Sequence, residues 1–106
     1  METIKSRQEF EQVFSRGRRY NARLVRITVL KGDEGGPGKV AFVAAKRLGH
    51  APLRNRSKRV LREAARMCDM PRKGTHVILF ATRETAAAHP RQVADSLQSL
   101  LRKAGI

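Results

Sequence analysis

A chain of 106 residues has room for one hydrophobic core, so residues 1–106 are expected to form a single domain. Its 23 Lys and Arg against 9 Asp and Glu leave a net charge of +14, which repels itself in the compact state and calls for an anionic partner, nucleic acid first and a membrane surface second. The single cysteine, Cys68, excludes an internal disulfide, residues 1–14 lack the apolar run of a signal peptide, and no stretch approaches the roughly 18 apolar residues of a membrane span, so the expected location is the cytoplasm.

Ser6 followed by Glu9 is a capping box, and Phe10, Val13 and Phe14 fall at helical spacing, so a first helix is expected over Arg7–Arg16 with Gly17 as its C-terminal cap. Residues 23–30 alternate as a strand, with a further short strand possible near residues 18–20. The turn Gly32-Asp33-Glu34-Gly35-Gly36-Pro37-Gly38 follows, then a second strand over residues 39–45, and the two strands are expected to pair as an antiparallel hairpin. A basic turn, residues 46–52, leads into the longest helix, which starts near Pro52 and ends at Met67 or Cys68. Thr75–Ala81 reads as a third strand, and its unbroken apolar run Val77-Ile78-Leu79-Phe80-Ala81 predicts burial on both faces. Pro90 opens a last helix whose stripe Val93, Ala94, Leu97, Leu100, Leu101 and Ala104 ends at Gly105. The order α-β-β-α-β-α predicts an α+β (α/β two-layer) sandwich: three helices on a small mixed, mostly antiparallel sheet.

Charge concentrates on the long helix. Lys46, Arg47, Arg54, Arg56, Lys58, Arg59, Arg62 and Arg66 lie within one fifth of the chain, with Glu63 the only acid among them. On a wheel of about 100° per residue, Ser57, Val60, Leu61, Ala64, Ala65, Met67 and Cys68 form one arc and Arg56, Lys58, Arg59, Arg62, Glu63 and Arg66 the opposite one. Helix neighbours three or four apart sit about 5–6 Å from each other, so a row of cations can follow a phosphate backbone. Arginine suits that task because its planar fork binds phosphate oxygens bidentately and stacks on bases. Asn55 stands near the positive end of the helix, where backbone N–H groups also favour phosphate. A merely solvated helix face mixes signs; this one sets five cations beside one anion.

The segment from Lys46 to Glu63, centred on Arg54-Asn55-Arg56, Lys58-Arg59 and Arg62-Glu63, closely resembles the signature of the bacterial ribonuclease P protein subunit. The upstream Phe10-Glu11-Gln12-Val13-Phe14 with Gly17 is similar to that family's first helix, and the resemblance spans nearly the whole chain. It implies an unusual left-handed β-α-β crossover, against the general rule. It implies a partnership with a catalytic RNA that, using Mg²⁺, cleaves the 5′ leader from precursor tRNA, so the chain is the protein component of an RNA-based endoribonuclease. On that resemblance the protein carries no catalytic residue, binds no metal or cofactor itself, and needs no obligate protein partner. Lys46, Arg47, Arg54, Asn55, Arg56, Lys58, Arg59, Arg62 and Arg66 would face RNA. Phe10 and Phe14 match aromatics that line a cleft for the single-stranded leader, with Arg26 and Thr28 on its floor; simple core packing of a Phe pair at this spacing stands as the alternative. His50, Ala45 and Pro52 depart from the family's usual Asn, Ser and apolar residue and alter the loop before the helix.

Elsewhere no chemistry is encoded. His50, His76 and His89 lack metal-site spacing, Cys68 falls on the apolar arc, and no pair of acids suggests acid–base work. Gly35-Gly36-Pro37-Gly38 lacks the Lys-Ser/Thr of a phosphate-binding loop. A general or ribosome-associated RNA-binding protein is the competing function. DNA binding lacks a two-helix unit with a tight turn, and a membrane-surface helix would need the aromatic anchors that this Ala-rich arc does not have.

Overall fold

The computed structural model describes residues 1–32 and 35–106. Its elements in chain order are α1 (Arg7–Arg16), β1 (Arg18–Asn21), β2 (Val25–Lys31), β3 (Lys39–Val43), a short 3-10 turn (Lys46–Leu48), α2 (Ala51–Met67), β4 (Thr75–Ala81) and α3 (Pro90–Ala104). The short strand foreseen near residues 18–20 is therefore present, and the expected three helices on a small mixed sheet are what forms. No helix among the described residues is long and apolar enough to cross a membrane.

The expected β2–β3 hairpin does not form. The sheet order is β1-β2-β4-β3, with β4 antiparallel to β2 and parallel to β3. Burial fits this order: β4 carries apolar residues on both faces, and between β2 and β3 it is covered by the main core on one side and the second core beneath α1 on the other. Val77, Leu79 and Ala81 are buried on one side and Ile78 on the other. β4 also matches β2 over its full length, from Val25 opposite Ala81 to Lys31 opposite Thr75. Of the turn assigned to residues 32–38, Asp33 and Glu34 lie outside the described residues. Its flanks cross the start of β4 rather than closing a hairpin, the Gly32 N–H donating to the Gly74 carbonyl at 2.7 Å and the Gly74 N–H to the Gly36 carbonyl at 2.8 Å. β3 ends at Val43, two residues earlier than expected. Its outer edge is covered by the N-terminal segment, where the Ile4 N–H donates to the Val40 carbonyl at 2.8 Å and the Val40 N–H to the Glu2 carbonyl at 3.1 Å.

The main core lies where α2 and α3 cover one face of the sheet. Val25, Ile27, Val29, Val40, Val77 and Leu79 meet Leu61, Ala64 and Ala65 of α2 and Val93, Leu97 and Leu101 of α3. Each fully buried Leu or Ile there contributes about 1.5–3 kcal/mol. Ser57 is accommodated by donating to the Leu53 carbonyl at 3.1 Å. Met67, expected on the apolar arc, is instead 45% exposed. It sits at the margin of that arc in the last turn, and Cys68 takes the inward place, its Sγ 3.3 Å from the Ala94 carbonyl it donates to. Burial pushes the Cys68 thiol above its ordinary pKa.

α1 packs on the opposite face, where Val13 meets Ala41 and Ile78 with Phe10, Leu30, Val43 and Phe80 around them. Ser6 caps it by accepting from the Glu9 N–H at 3.3 Å. Gly17 ends it, but in extended backbone (φ −73°), so no left-handed turn requires the glycine. Space does: a Cβ at Gly17 would lie 2.5 Å from the Val13 carbonyl and 2.6 Å from Thr28 Cγ2. At α3 the helix start is capped by His89, whose Nδ1 accepts from the Arg91 N–H at 3.1 Å while Gln92 Oε1 accepts from the His89 N–H at 3.2 Å.

Gly17→Ala should therefore lower stability by about 1–3 kcal/mol, the usual cost of forcing an extra carbon into a packed contact. Urea denaturation measures it; a change below about 0.5 kcal/mol, the range of ordinary surface substitutions, would contradict the close approach of α1 to β2.

Candidate nucleic-acid interface

The basic face of α2 is built as its periodicity demands. Burying Val60, Leu61, Ala64 and Ala65 in the core turns Arg56, Arg59, Arg62 and Arg66 outward to solvent, with Arg54 and Lys58 half-buried at the flanks. Lys46 and Arg47 extend the row from the 3-10 turn, and Asn55 is exposed one turn into the helix. Gly49 joins the turn to the helix at φ 135°, a conformation that L side chains rarely adopt. The first turn of α2 has no acidic residue and no side-chain cap, so its N–H groups stay open to an anion.

Very little internal charge opposes this row. Glu63 pairs with Arg66 at 2.8 Å on an exposed surface, where such a pair is worth no more than about 1 kcal/mol. Arg62 is held differently: its guanidinium carbon lies 5.5 Å from the centre of the Phe42 ring on β3. Among the described residues Arg54 Nε is buried without a hydrogen-bond partner.

A second feature adjoins it on the far face of the sheet, where α1 stops short. Cross-strand register aligns Asn21, Arg26, Phe80 and Val43 in one row and Arg19, Thr28, Ile78 and Ala41 in the next. The end of α1 overhangs these rows and encloses a cleft of about 370 Å³. Phe14, 42% exposed, forms its wall, and Arg19, Asn21, Arg26, Arg47 and Phe80 surround it. The Phe14 ring lies 6.0 Å from that of Phe80 and 6.4 Å from that of Phe10, to which it is nearly parallel. The Arg19 guanidinium covers Phe14 at 4.6 Å from the ring centre and donates to the Phe14 carbonyl at 3.4 Å.

Of the four residues assigned to the cleft from the sequence, Phe14 and Arg26 stand in it with open surface. Thr28 borders it but is only 1% exposed, because α1 lies on it at Gly17. Phe10 lies in a neighbouring hollow with Thr3, Ile4, Phe42 and Arg62, half-buried against the second core. The core packing expected as its alternative is what the structure shows for Phe10, which does not line the cleft. Arg19, Asn21 and Phe80 were missed as cleft residues. Their signal was alternation, but it becomes readable only once β4 is known to lie beside β2. Arg47 belongs to the basic row and the cleft together and so joins them. Among the described residues no three His, Cys, Asp or Glu side chains converge as metal ligands would.

The family model for ribonuclease P matches residues 1–105. Among curated relatives, the ribonuclease P protein component of Symbiobacterium thermophilum is 36% identical over 105 residues, covering 97% of this chain and 90% of that protein. The component of Gluconacetobacter diazotrophicus is 33% identical over the same shares. Among solved structures, the Staphylococcus aureus RNase P protein superposes with a TM-score of 0.80 at 23% identity, covering 98% of this chain and 95% of that one. The Thermotoga maritima RNase P protein gives 0.79 at 21% identity, with 97% of each chain covered. At these identities the two structures establish likeness of fold.

The Arg19–Phe14 contact should register as a coupling of about 0.5–1 kcal/mol in a double-mutant cycle of Arg19→Ala and Phe14→Ala, read by urea denaturation. Additive effects of the two substitutions would mean that the guanidinium is not seated on the ring.

Proposed function

The chain belongs to the bacterial ribonuclease P protein family, and from that premise we propose that it binds the catalytic RNA of ribonuclease P through α2 and the 5′ leader of precursor tRNA through the cleft beneath α1. One observation supports this above the others: a row of cations on α2, with one ion pair among the described residues, runs by way of Arg47 into a cleft that combines arginines with the partly exposed rings of Phe14 and Phe80. A polyanion with both a folded body and a free single strand matches that pairing of surfaces.

Each surface does different work. Lys46, Arg47, Arg54, Arg56, Lys58, Arg59, Arg62 and Arg66 neutralise phosphates of the catalytic RNA, and Asn55 adds a polar contact at the helix start. Binding there releases condensed counterions, which drives association without reading sequence. Arg54 Nε, which has no partner among the described residues, gains one when its guanidinium is drawn onto a phosphate. In the cleft, Phe14 and Phe80 offer ring faces at roughly 1–3 kcal/mol per stacked base, while Arg26 and Arg47 hold the leader backbone. Phe10 supports Phe14 from behind.

The protein supplies no bond-breaking group in this reading. The RNA subunit, with its own Mg²⁺, performs the cleavage, and the protein raises affinity for the leader-bearing precursor. The whole chain acts as one RNA-binding domain, in the cytoplasm, with no membrane and no obligate protein partner. It is thereby the protein component of an endoribonuclease that matures the 5′ end of tRNA.

Reconstitution with a bacterial ribonuclease P RNA at low Mg²⁺ tests the proposal directly: adding this chain should stimulate precursor cleavage, and no stimulation would favour a general RNA-binding role. Affinity for that RNA should fall by about 10³-fold or more between 50 and 200 mM salt if six to eight phosphates are neutralised, by the duplex slope. Arg56→Gln with Arg62→Gln should weaken assembly with the catalytic RNA. Phe14→Ala should weaken precursor binding by about tenfold, the loss of one stacking contact, and leave mature tRNA binding nearly unchanged; equal losses on both would remove Phe14 from the leader site.

A further inference from the structure

A third groove lies at the sheet edge opposite α2. β1 is that edge, and α3 packs over β1 and β2 just as α2 packs over β3 and β4. Arg18 pairs with Val29 and Tyr20 with Ile27, so both side chains share the face that α3 covers. Between them and the last turn of α3 is an open groove of about 480 Å³. Tyr20, the only tyrosine of the chain, is half-buried against the main core and lines it. Arg16 at the end of α1, Arg18 on β1 and Lys103 on α3 border it, with Lys31 beside them.

Two ordinary explanations account for part of this. Arg16 and Lys103 stand in last helical turns, where a cation offsets the helix dipole. Arg18 on an edge strand discourages pairing with another chain. Neither explains why three separate elements bring their cations to the one groove that Tyr20 lines. Among the described residues Arg16, Arg18 and Lys103, like most of the cations of this chain, hold no carboxylate within 4 Å, so their charge is open to an anion. Asp33 and Glu34 follow Lys31 closely in the chain, so the charge excess that counts is that of the other three.

We propose that this groove, formed by Tyr20 with Arg16, Arg18 and Lys103, is a second binding site for single-stranded RNA, separate from α2 and from the cleft beneath α1. Cations spaced along a groove to follow a backbone, with an aromatic ring to take a base, are the general means of holding an unpaired strand. The cleft opens where β2 begins, beside Arg26, and the groove where β2 ends, beside Val29 and Lys31. The cleft lies on the face that α1 overhangs, whereas Arg18 and Tyr20 of the groove lie on the face that α3 covers, so an RNA strand held in one is separated from the other by the sheet. The proposal rests on the chain being an RNA-binding protein but not on the leader cleft.

The test uses the full chain and a fluorescent twelve-nucleotide uridine strand, titrated at several salt concentrations. Arg16→Gln/Arg18→Gln/Lys103→Gln should lower the salt slope by about two, since each phosphate neutralised on a single strand contributes about 0.7, and weaken binding by tenfold or more at 0.1 M salt. A control triple of equal charge, Lys5→Gln/Arg7→Gln/Arg91→Gln, should leave the slope nearly unchanged. Equal losses in the two triples, or none in the first, would overturn the site. A 4-thiouridine strand should also crosslink to the segment holding Arg18 and Tyr20; crosslinks confined to α2 and the cleft would overturn it as well. Arg56→Gln/Arg62→Gln, measured in parallel on the catalytic RNA, reports on the proposed function independently, so the two readings can fail separately.

Discussion

Strand β4 has to be dry on both sides, and the rest of the molecule is arranged to keep it so. Val77, Leu79 and Ala81 face one way and Ile78 the other, all inaccessible to water or nearly so. One covering layer is generous: α2 and α3 span the width of the sheet and bury most of the core. The other is scant. α1 has ten residues, about 15 Å of helix, and it shields Ile78 and Ala41 but not the row through Arg26 and Phe80. The cleft is what remains uncovered. A longer first helix would close it; a looser one would open the core behind Val13.

The same burial governs the electrostatics. Leu61, Ala64 and Ala65 must point at the sheet, so the charged side chains of α2 point away from it, and all of them but Glu63 are cationic. Their mutual repulsion lowers the stability of the free protein and is relieved when an anion binds. An anion bound along that row would therefore also favour the folded state. Phe42 tempers the repulsion locally by placing a ring beneath Arg62.

Much of this was legible before any coordinates. The three helices follow from caps and spacing that act within a few residues: Ser6 with Glu9, Pro90 with Gly105, the wheel of α2. β4 announces itself by a run too apolar for a half-exposed strand. Strand pairing did not follow, because Gly32 and Gly35 to Gly38 between two strands look the same whether the chain turns back on its neighbour or makes room for a third strand. That choice depends on β4, far along the sequence. The candidate site divides the same way. The cation row on α2 is local and was readable; Phe80 and Arg19 enter the cleft only through the registers Arg26 with Phe80 and Arg19 with Thr28. Met67 strayed because a wheel locates an arc but not its margin, and Thr28 is covered because Gly17 lets α1 settle on it.

The place of β4 also has a consequence for how the chain comes off the ribosome. β2 and β3 are both made before the strand that separates them, so for the time taken to synthesise α2 each has a pairing edge with no correct partner. They can pair with each other meanwhile, and that hairpin must open again before β4 can enter. Folding through contacts so distant in sequence is slow by nature, and the nascent chain carries exposed strand edges throughout. A polyanion within reach during that interval, the ribosome's own RNA included, would shield the cations while the sheet waits for its middle.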